Sequence, residues 1–185
     1  TKGPDRVTYT HRFQGRGGLF AGTFRAEVSA TAEGAVLRLS LELTAPAPVP
    51  VNRAGFTVLH PLRGVAGAAL QVTHSDGSRQ ATAWPRLISP AQPVRDIIGL
   101  AHVVQGVQVA ITLQGDVFEM EDQRNWSDAS YKTYCRPLRL PLPFALGPAA
   151  PRQVLRMQFH HRLAGVAEQA AERAGAAHAV PLVAQ

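Results

Sequence analysis

Cysteine is almost absent: the 185-residue chain has one, Cys135. A single thiol excludes an internal disulfide framework, and a reducing cytoplasm is its natural compartment. Charge is sparse too, at 17% of residues against 45% apolar ones. A disordered chain would be richer in charge and poorer in apolar side chains. No apolar run reaches the roughly 18 residues that a membrane-spanning helix needs. No basic-then-apolar leader opens the chain. It begins at Thr1 rather than Met, so a cut piece of a longer protein or a processed product is expected. Lysine is nearly missing: two Lys stand beside 17 Arg, with a net charge of +6. The arginines are scattered singly, so this balance permits nucleic-acid binding without arguing for it. Neither a nucleic-acid nor a membrane partner is expected.

What is present is alternation. Residues 7–13 place Val7, Tyr9, His11 and Phe13 on one face. Residues 23–31 put Phe24, Ala26, Val28 and Ala30 inward and Arg25, Glu27 and Ser29 outward. Residues 36–43 offer a face of Leu37, Leu39, Leu41 and Leu43. Period-two alternation across the short turn 31–34 predicts a β-hairpin. The run 45–50 breaks the pattern with three prolines, which cannot donate to a sheet ladder. Short strands are expected over 56–59, 69–74 and 80–84, with a turn at 75–78. A second hairpin spans 96–104 and 107–118 around Gln105 and Gly106. Residues 137–151 carry five prolines and read as extended or looped. A last strand covers 154–163, with Leu155, Met157, Phe159 and His161 on one face. Many short strands without helical crossovers predict an all-β, antiparallel β-sandwich over 1–163. Residues 164–185 read as an Ala-rich tail or linker with a short C-terminal helix over 165–177.

One segment departs from the rest. Five of the 13 acidic residues fall between Asp116 and Arg136: Asp116, Glu119, Glu121, Asp122 and Asp128. Arg124, Asn125, Trp126, Tyr131, Lys132 and Tyr134 sit among them. If the strand from Val107 continues through Glu121, then Glu119 and Glu121 share a face about 6.5–7 Å apart. That is the range of paired carboxylates in sugar chemistry. Phe118, Met120 and Asp122 then face the other way. Carboxylates and Asn125 can hold hydroxyls, Arg124 and Lys132 can hold an acid or polarise a carbonyl, and Trp126 can stack on a ring. Glu119, Glu121, Asp122, Arg124, Asn125, Trp126, Asp128 and Lys132 are therefore candidates for a carbohydrate site. The alternative is an ion-pair network that anchors a loop or docks a neighbouring domain. Ligation of a metal by Glu119, Glu121, Asp122 and Asp128 matches no calcium-loop spacing, so neither metal nor cofactor is expected. Carboxylates this close raise one another's pKa unless they are neutralised. Arg124 is the expected internal partner, its fork bridging two carboxylates, with Arg136 and other arginines assisting.

The stretch from Glu119 to Tyr134, followed by Arg136-Pro-Leu and Leu140-Pro-Leu-Pro, resembles the signature of the D-apionate lactonase family. Asn52-Arg-Ala-Gly-Phe56, His60-Pro61 and Ile88-Ser-Pro-Ala-Gln-Pro93 fit the same N-terminal domain, so the resemblance covers about 7–163. Members hydrolyse a sugar lactone in bacterial apiose breakdown. The resemblance implies an N-terminal β domain, a central TIM-like barrel and a C-terminal β domain. This chain would then be the N-terminal β-sandwich of a sugar-lactone hydrolase. Alone it would be inactive, because barrel enzymes carry catalytic groups at the ends of barrel strands. Its partners would be a sugar lactone or carbohydrate and a barrel domain of the same protein. A fainter similarity, carried by Asn52 and Phe56, is to the β-sandwich of sugar mutarotases. That similarity implies a self-standing sugar-binding or sugar-isomerising domain. Such chemistry needs a His and a carboxylate over the ring; His60, His74 and His102 are available, and each also reads as a structural strand residue. A structural interaction domain without ligand is the third reading.

The other features are weaker. Gly15-Arg-Gly-Gly18 precedes no helix that would complete a phosphate site, so it reads as a turn. His160 and His161 point to opposite faces of one strand and cannot share a metal without distortion. Cys135 has no evident His partner and reads as a small buried residue, and no Gly-x-Ser-x-Gly elbow occurs. Catalytic residues are therefore left unassigned.

Overall fold

A computed structural model describes residues 2–148 and 152–161. In chain order its strands are β1 Arg6–Gly15, β2 Phe20–Thr31, β3 Gly34–Thr44, β4 Val49–Val51, β5 Thr57–Pro61, β6 Ala69–His74 and β7 Arg79–Ala83. There follow β8 Ile97–Val104, β9 Val107–Gln114, β10 Glu119–Asp122, β11 Ser130–Tyr134, β12 Phe144–Leu146 and β13 Gln153–His161. Eight of them form one antiparallel sheet in the order β1-β2-β3-β13-β9-β8-β6-β7. Strands β10-β11-β5 form a second sheet, and β12-β4 a two-stranded ribbon. The all-β antiparallel sandwich that the alternation implies is the fold that forms. The helix expected over 165–177, and the division between 163 and 164, lie outside the described residues.

Local chemistry explains the connections. The pair Thr31↔Gly34 closes the first hairpin. Val104↔Val107 closes the second, around Gln105 (φ 49°) and Gly106 (φ 79°). Two positive φ values are what a tight two-residue hairpin turn demands. A short 3-10 turn at Arg16–Gly18 joins β1 to β2. Strand β13 enters between β3 and β9 and zips the two hairpins into one sheet. One apolar row then crosses five strands: Leu113, Leu155, Leu39, Ala26 and Tyr9.

The second sheet lies on this face and follows the same alternation. Its inward rows are Asp122–Tyr131–His60 and Met120–Thr133–Val58. Its outward rows are Glu121–Lys132–Leu59 and Glu119–Tyr134–Thr57. The core packs Leu70, Val72, Ile97, Leu100, Ile111 and Leu155 of the large sheet against Met120 and Tyr131, with Trp84 and Phe118 between.

Three expectations change. The strand from Val107 does not run on through Glu121: β9 stops at Gln114, and Gly115 turns with φ 91°. A Cβ on Gly115 would lie 2.3 Å from the Arg152 carbonyl oxygen, so this close crossing admits only glycine. The chain passes to the second sheet and restarts there as β10. Val28 and Ala30 are exposed rather than inward, because the core thins out across β1 and β2. Strands β4, β11 and β12 carry no period-two apolar signal: β11 lies in the charged segment, and the other two lie among prolines.

Candidate functional site

The polar segment divides into separate clusters instead of one pocket. Asp122 sits on an inward row and is 0% exposed. A carboxylate there needs full hydrogen bonding. Arg124 supplies it with Nε at 2.9 Å and Nη2 at 2.7 Å, and the backbone N–H groups of Ser89 and Arg124 add two more donors. Burial acts to raise the Asp122 pKa, but the hydrogen bonds from Arg124, Ser89 and the Arg124 backbone outweigh it and hold the carboxyl below its ordinary value. Asp122 also caps a short 3-10 turn at Gln123–Trp126, which sets the angle at which Arg124 returns to it. The rest of the guanidinium donates to the carbonyls of Pro85, Arg86 and Leu87. Asn125 donates to the carbonyls of Ser89 and Asp122. The 85–89 loop is thus stapled to β10. Arg124 is the internal partner, as expected, but it serves one carboxylate rather than bridging two.

The outward face holds the second cluster. Glu121 pairs with Lys132 at 2.6 Å and accepts from Gln123 Nε2 at 2.8 Å and Trp126 Nε1 at 3.0 Å. Partial burial acts to raise its pKa; the bonds from Lys132 and Trp126, the Lys132 charge and Gln123 carry it below the ordinary range. Trp126 hangs from this carboxylate by its indole N–H while 71% exposed. Glu119 shares the face, as the period-two pattern implies, but is 2% exposed. Its Oε1 accepts from Tyr134 Oη and the Leu138 N–H, both at 2.7 Å. Burial, then the bond to Glu119 and its charge, push the Tyr134 hydroxyl pKa up. Asp128 is exposed and stands apart, accepting from the Ala129 N–H and the Ser130 hydroxyl. Arg136 joins none of these carboxylates; its guanidinium lies 4.6 Å over the Phe144 ring.

The histidines behave differently from one another. His60 and His102 meet in the core with ring centroids 6.4 Å apart, and Trp84 packs on both. His60 Nε2 lies 2.9 Å from Thr133 Oγ1. Burial, with His102 as a lesser cause, lowers the His60 pKa to about 4. Burial lowers that of His102 as well. Among the described residues neither ring has a carboxylate partner of the kind a sugar isomerase would use. His74 bridges the Asp96 carbonyl and Gln80 at the edge of the large sheet. Cys135 is buried, and burial raises its thiol pKa, which disfavours the nucleophilic thiolate. Among the described residues no three His, Cys, Asp or Glu side chains gather as a metal-binding group. No helix among them is long and apolar enough to cross a membrane.

Sequence reasoning missed several partners. Tyr134 serves Glu119, the 85–89 loop serves Arg124, and Gln153 holds the Phe56 N–H and the Ala54 carbonyl. No sequence signal marks the last of these, since its partners lie 97 and 99 residues away.

The comparison that decides the family covers nearly all of this architecture. The profile of the D-apionate lactonase N-terminal domain matches residues 1–162. The chain belongs to that family. A D-apionate lactonase from Brucella anthropi is 51% identical over 102 residues. The matched stretch is 55% of this chain but 17% of that lactonase, so the chain spans about a sixth of its curated relative. Among solved structures, a GalM/aldose epimerase homologue from C. elegans is similar at a TM-score of 0.48 and 10% identity, covering 88% of this chain and 68% of that one. A galactose mutarotase-like protein from Lactobacillus casei gives 0.46 and 10%, covering 86% and 71%. For this lactonase-family domain, likenesses at that level bear on neither site nor activity.

Proposed function

We propose that this chain is the N-terminal β-sandwich of a sugar-lactone hydrolase and supports carbohydrate breakdown without being catalytic itself. Its partner is a catalytic barrel domain of the same protein, and its setting is the reducing cytoplasm that one buried thiol suits. The observation that carries this reading is the saturation of the polar segment. Asp122 is held by Arg124, Glu121 by Lys132 and Glu119 by Tyr134, and Asp128 by its own loop, so each carboxylate from Glu119 to Asp128 already has a donor within the domain. The same groups hold an apolar surface in place. Leu59, Trp126 and Leu138 are 60%, 71% and 52% exposed on or beside the outward rows of the second sheet. Large exposed apolar side chains around a fixed polar frame mark a contact surface. The candidate segment serves as a domain interface in this reading.

The test uses the full-length lactonase that carries this domain. Replacing Leu59 and Trp126 together by Asp should lower lactone hydrolysis at least tenfold. The same double substitution should leave the urea midpoint of the 185-residue chain nearly unchanged. Full activity in the double variant would refute the interface.

A further inference from the structure

The fold gathers arginines that the sequence scatters. Pairing across β1, β2, β3 and β13 sets Thr8, Glu27, Arg38 and Arg156 in one row, on the face of the large sheet turned away from the core. Thr10, Arg25, Ser40 and Val154 form the next row. With Arg6, Arg12 and Arg152, this part of the face carries six arginines against Glu27 and Glu42. A cavity of about 290 Å³ opens there, lined by Arg6, Arg25, Arg38 and Arg152 with Thr10 and Ser40.

Two of these four arginines are engaged. Glu27 pairs with Arg6 at 2.5 Å and Glu42 with Arg152 at 3.0 Å. Glu27 stands opposite Arg38 in register and also lines the cavity, but its carboxylate goes to Arg6. Arg25 and Arg38 are exposed, and neither has a carboxylate partner among the described residues. Arg38 also faces Arg156 directly across the β3–β13 pair. Like charges directly opposite one another weaken a sheet. Arg25 lies on the diagonal to Arg38, a separation that long side chains span. Arg25, Arg38 and Arg156 thus form a positive group with no counter-charge among the described residues, and an anion bound between them relieves their repulsion.

We propose that this cavity binds a phosphate group, free or carried by a small molecule. A phosphate group presents three or more acceptor oxygens and close to two negative charges. Arg25 and Arg38 hold it from neighbouring strands, the Thr10 hydroxyl donates to a further oxygen, and Arg156 adds its charge from beside Arg38. A carboxylate carries one charge and two oxygens, which a single guanidinium fork already satisfies, so it draws less from this group. The rings of Tyr9, His11 and Phe13 stack with one another on the opposite face of the sheet. They are therefore not available here to nucleic-acid bases, which stack on aromatic side chains. The site is independent of the part that the domain takes in lactone hydrolysis.

Calorimetric titration of the 185-residue chain at constant ionic strength tests it, with inorganic phosphate, glycerol 3-phosphate and acetate as probes. Both phosphates should bind at least tenfold more tightly than acetate, and the tighter of the two names the source as the free ion or a phosphorylated molecule. Arg25→Gln with Arg38→Gln should weaken phosphate at least tenfold. Both side chains are exposed, so this double variant should keep the wild-type urea midpoint. Arg12→Gln with Arg79→Gln removes the same charge outside the cavity. Salt screens those distant charges, so phosphate should then bind within about twofold of wild type. Glu27→Gln removes the competing carboxylate and should tighten phosphate binding. Phosphate binding no tighter than acetate would overturn the site. Equal weakening by the two double variants would overturn it too, because only diffuse attraction to a basic face would be left. Lactone turnover enters none of these readings, so failure here and failure of the domain reading are separable.

Discussion

Replacing Arg124 by Ala removes the counter-charge of a carboxylate that has no water to fall back on. Asp122 is 0% exposed at its side chain and Arg124 17%. The substitution deletes two charge-assisted hydrogen bonds, at 2.9 and 2.7 Å, and leaves Asp122 with two backbone donors. It also strips a donor from each of the carbonyls of Pro85, Arg86 and Leu87. Arg86 and Leu87 are exposed and can turn to water, and Pro85 keeps the Tyr131 hydroxyl, so these losses are small. The stranded carboxylate dominates. Breaking a buried pair from one side costs about 3–5 kcal/mol, and the two surviving N–H donors bring this to roughly 2–4 kcal/mol. With a urea m-value of about 2 kcal/mol per molar, the midpoint should fall by about 1–2 M. Intrinsic tryptophan fluorescence follows the transition through buried Trp84. The double variant Asp122→Leu/Arg124→Ala should recover part of the loss, because no charge is left unpaired. A drop below about 1 kcal/mol, the value of a surface pair, would refute the buried-network reasoning.

Acid should destabilise the domain through His60. Its folded pKa of about 4 lies below the unfolded 6.5, so only the unfolded chain takes up the proton between those values. Stability should be full above pH 6.5 and fall by about 1.4 kcal/mol per unit below it, roughly 3 kcal/mol in all; thermal melts from pH 7.5 to 4.5 that stay flat would contradict this. Glu119→Gln removes the charge beside Tyr134, and alkaline difference absorbance should show tyrosine ionisation moving to lower pH. An unchanged curve would mean that Glu119 does not set it. Gly115→Ala should cost at least about 2 kcal/mol, from positive φ and the clash with the Arg152 carbonyl, while Gly147→Ala stays within about 0.5 kcal/mol. Equal urea midpoints for the two would contradict the tight crossing at Gly115.

Period-two alternation made the large sheet legible, since Leu37, Leu39, Leu41 and Leu43 repeat with the pleat and the turn residues carry their own signals. It fails where strands are short and polar. β11 shows Ser130, Lys132 and Thr133 beside two tyrosines, and its place between β10 and β5 comes from long-range pairing rather than propensity. The polar segment was visible by composition, and so was the shared face of Glu119 and Glu121. Its division was not. Which carboxylate turns inward depends on a break at Gly115, where the backbone crosses that of Arg152 too closely for any Cβ, and sequence does not display that crossing. Arg124 looked like a bridge between acids because sequence shows charges only; its remaining acceptors are backbone carbonyls, which no sequence displays.

Proton release on hydrolysis of the lactone of D-apionate tests the proposed division of labour between this domain and a catalytic barrel. The 185-residue chain alone should give no rate above spontaneous hydrolysis. The same chain, set in place of the matching domain of the Brucella anthropi lactonase, to which it is 51% identical over 102 residues, should give turnover within about tenfold of that enzyme. Robust hydrolysis by the isolated chain, or a folded chimera with none, would contradict the assignment of this domain as the non-catalytic β-sandwich of a sugar-lactone hydrolase.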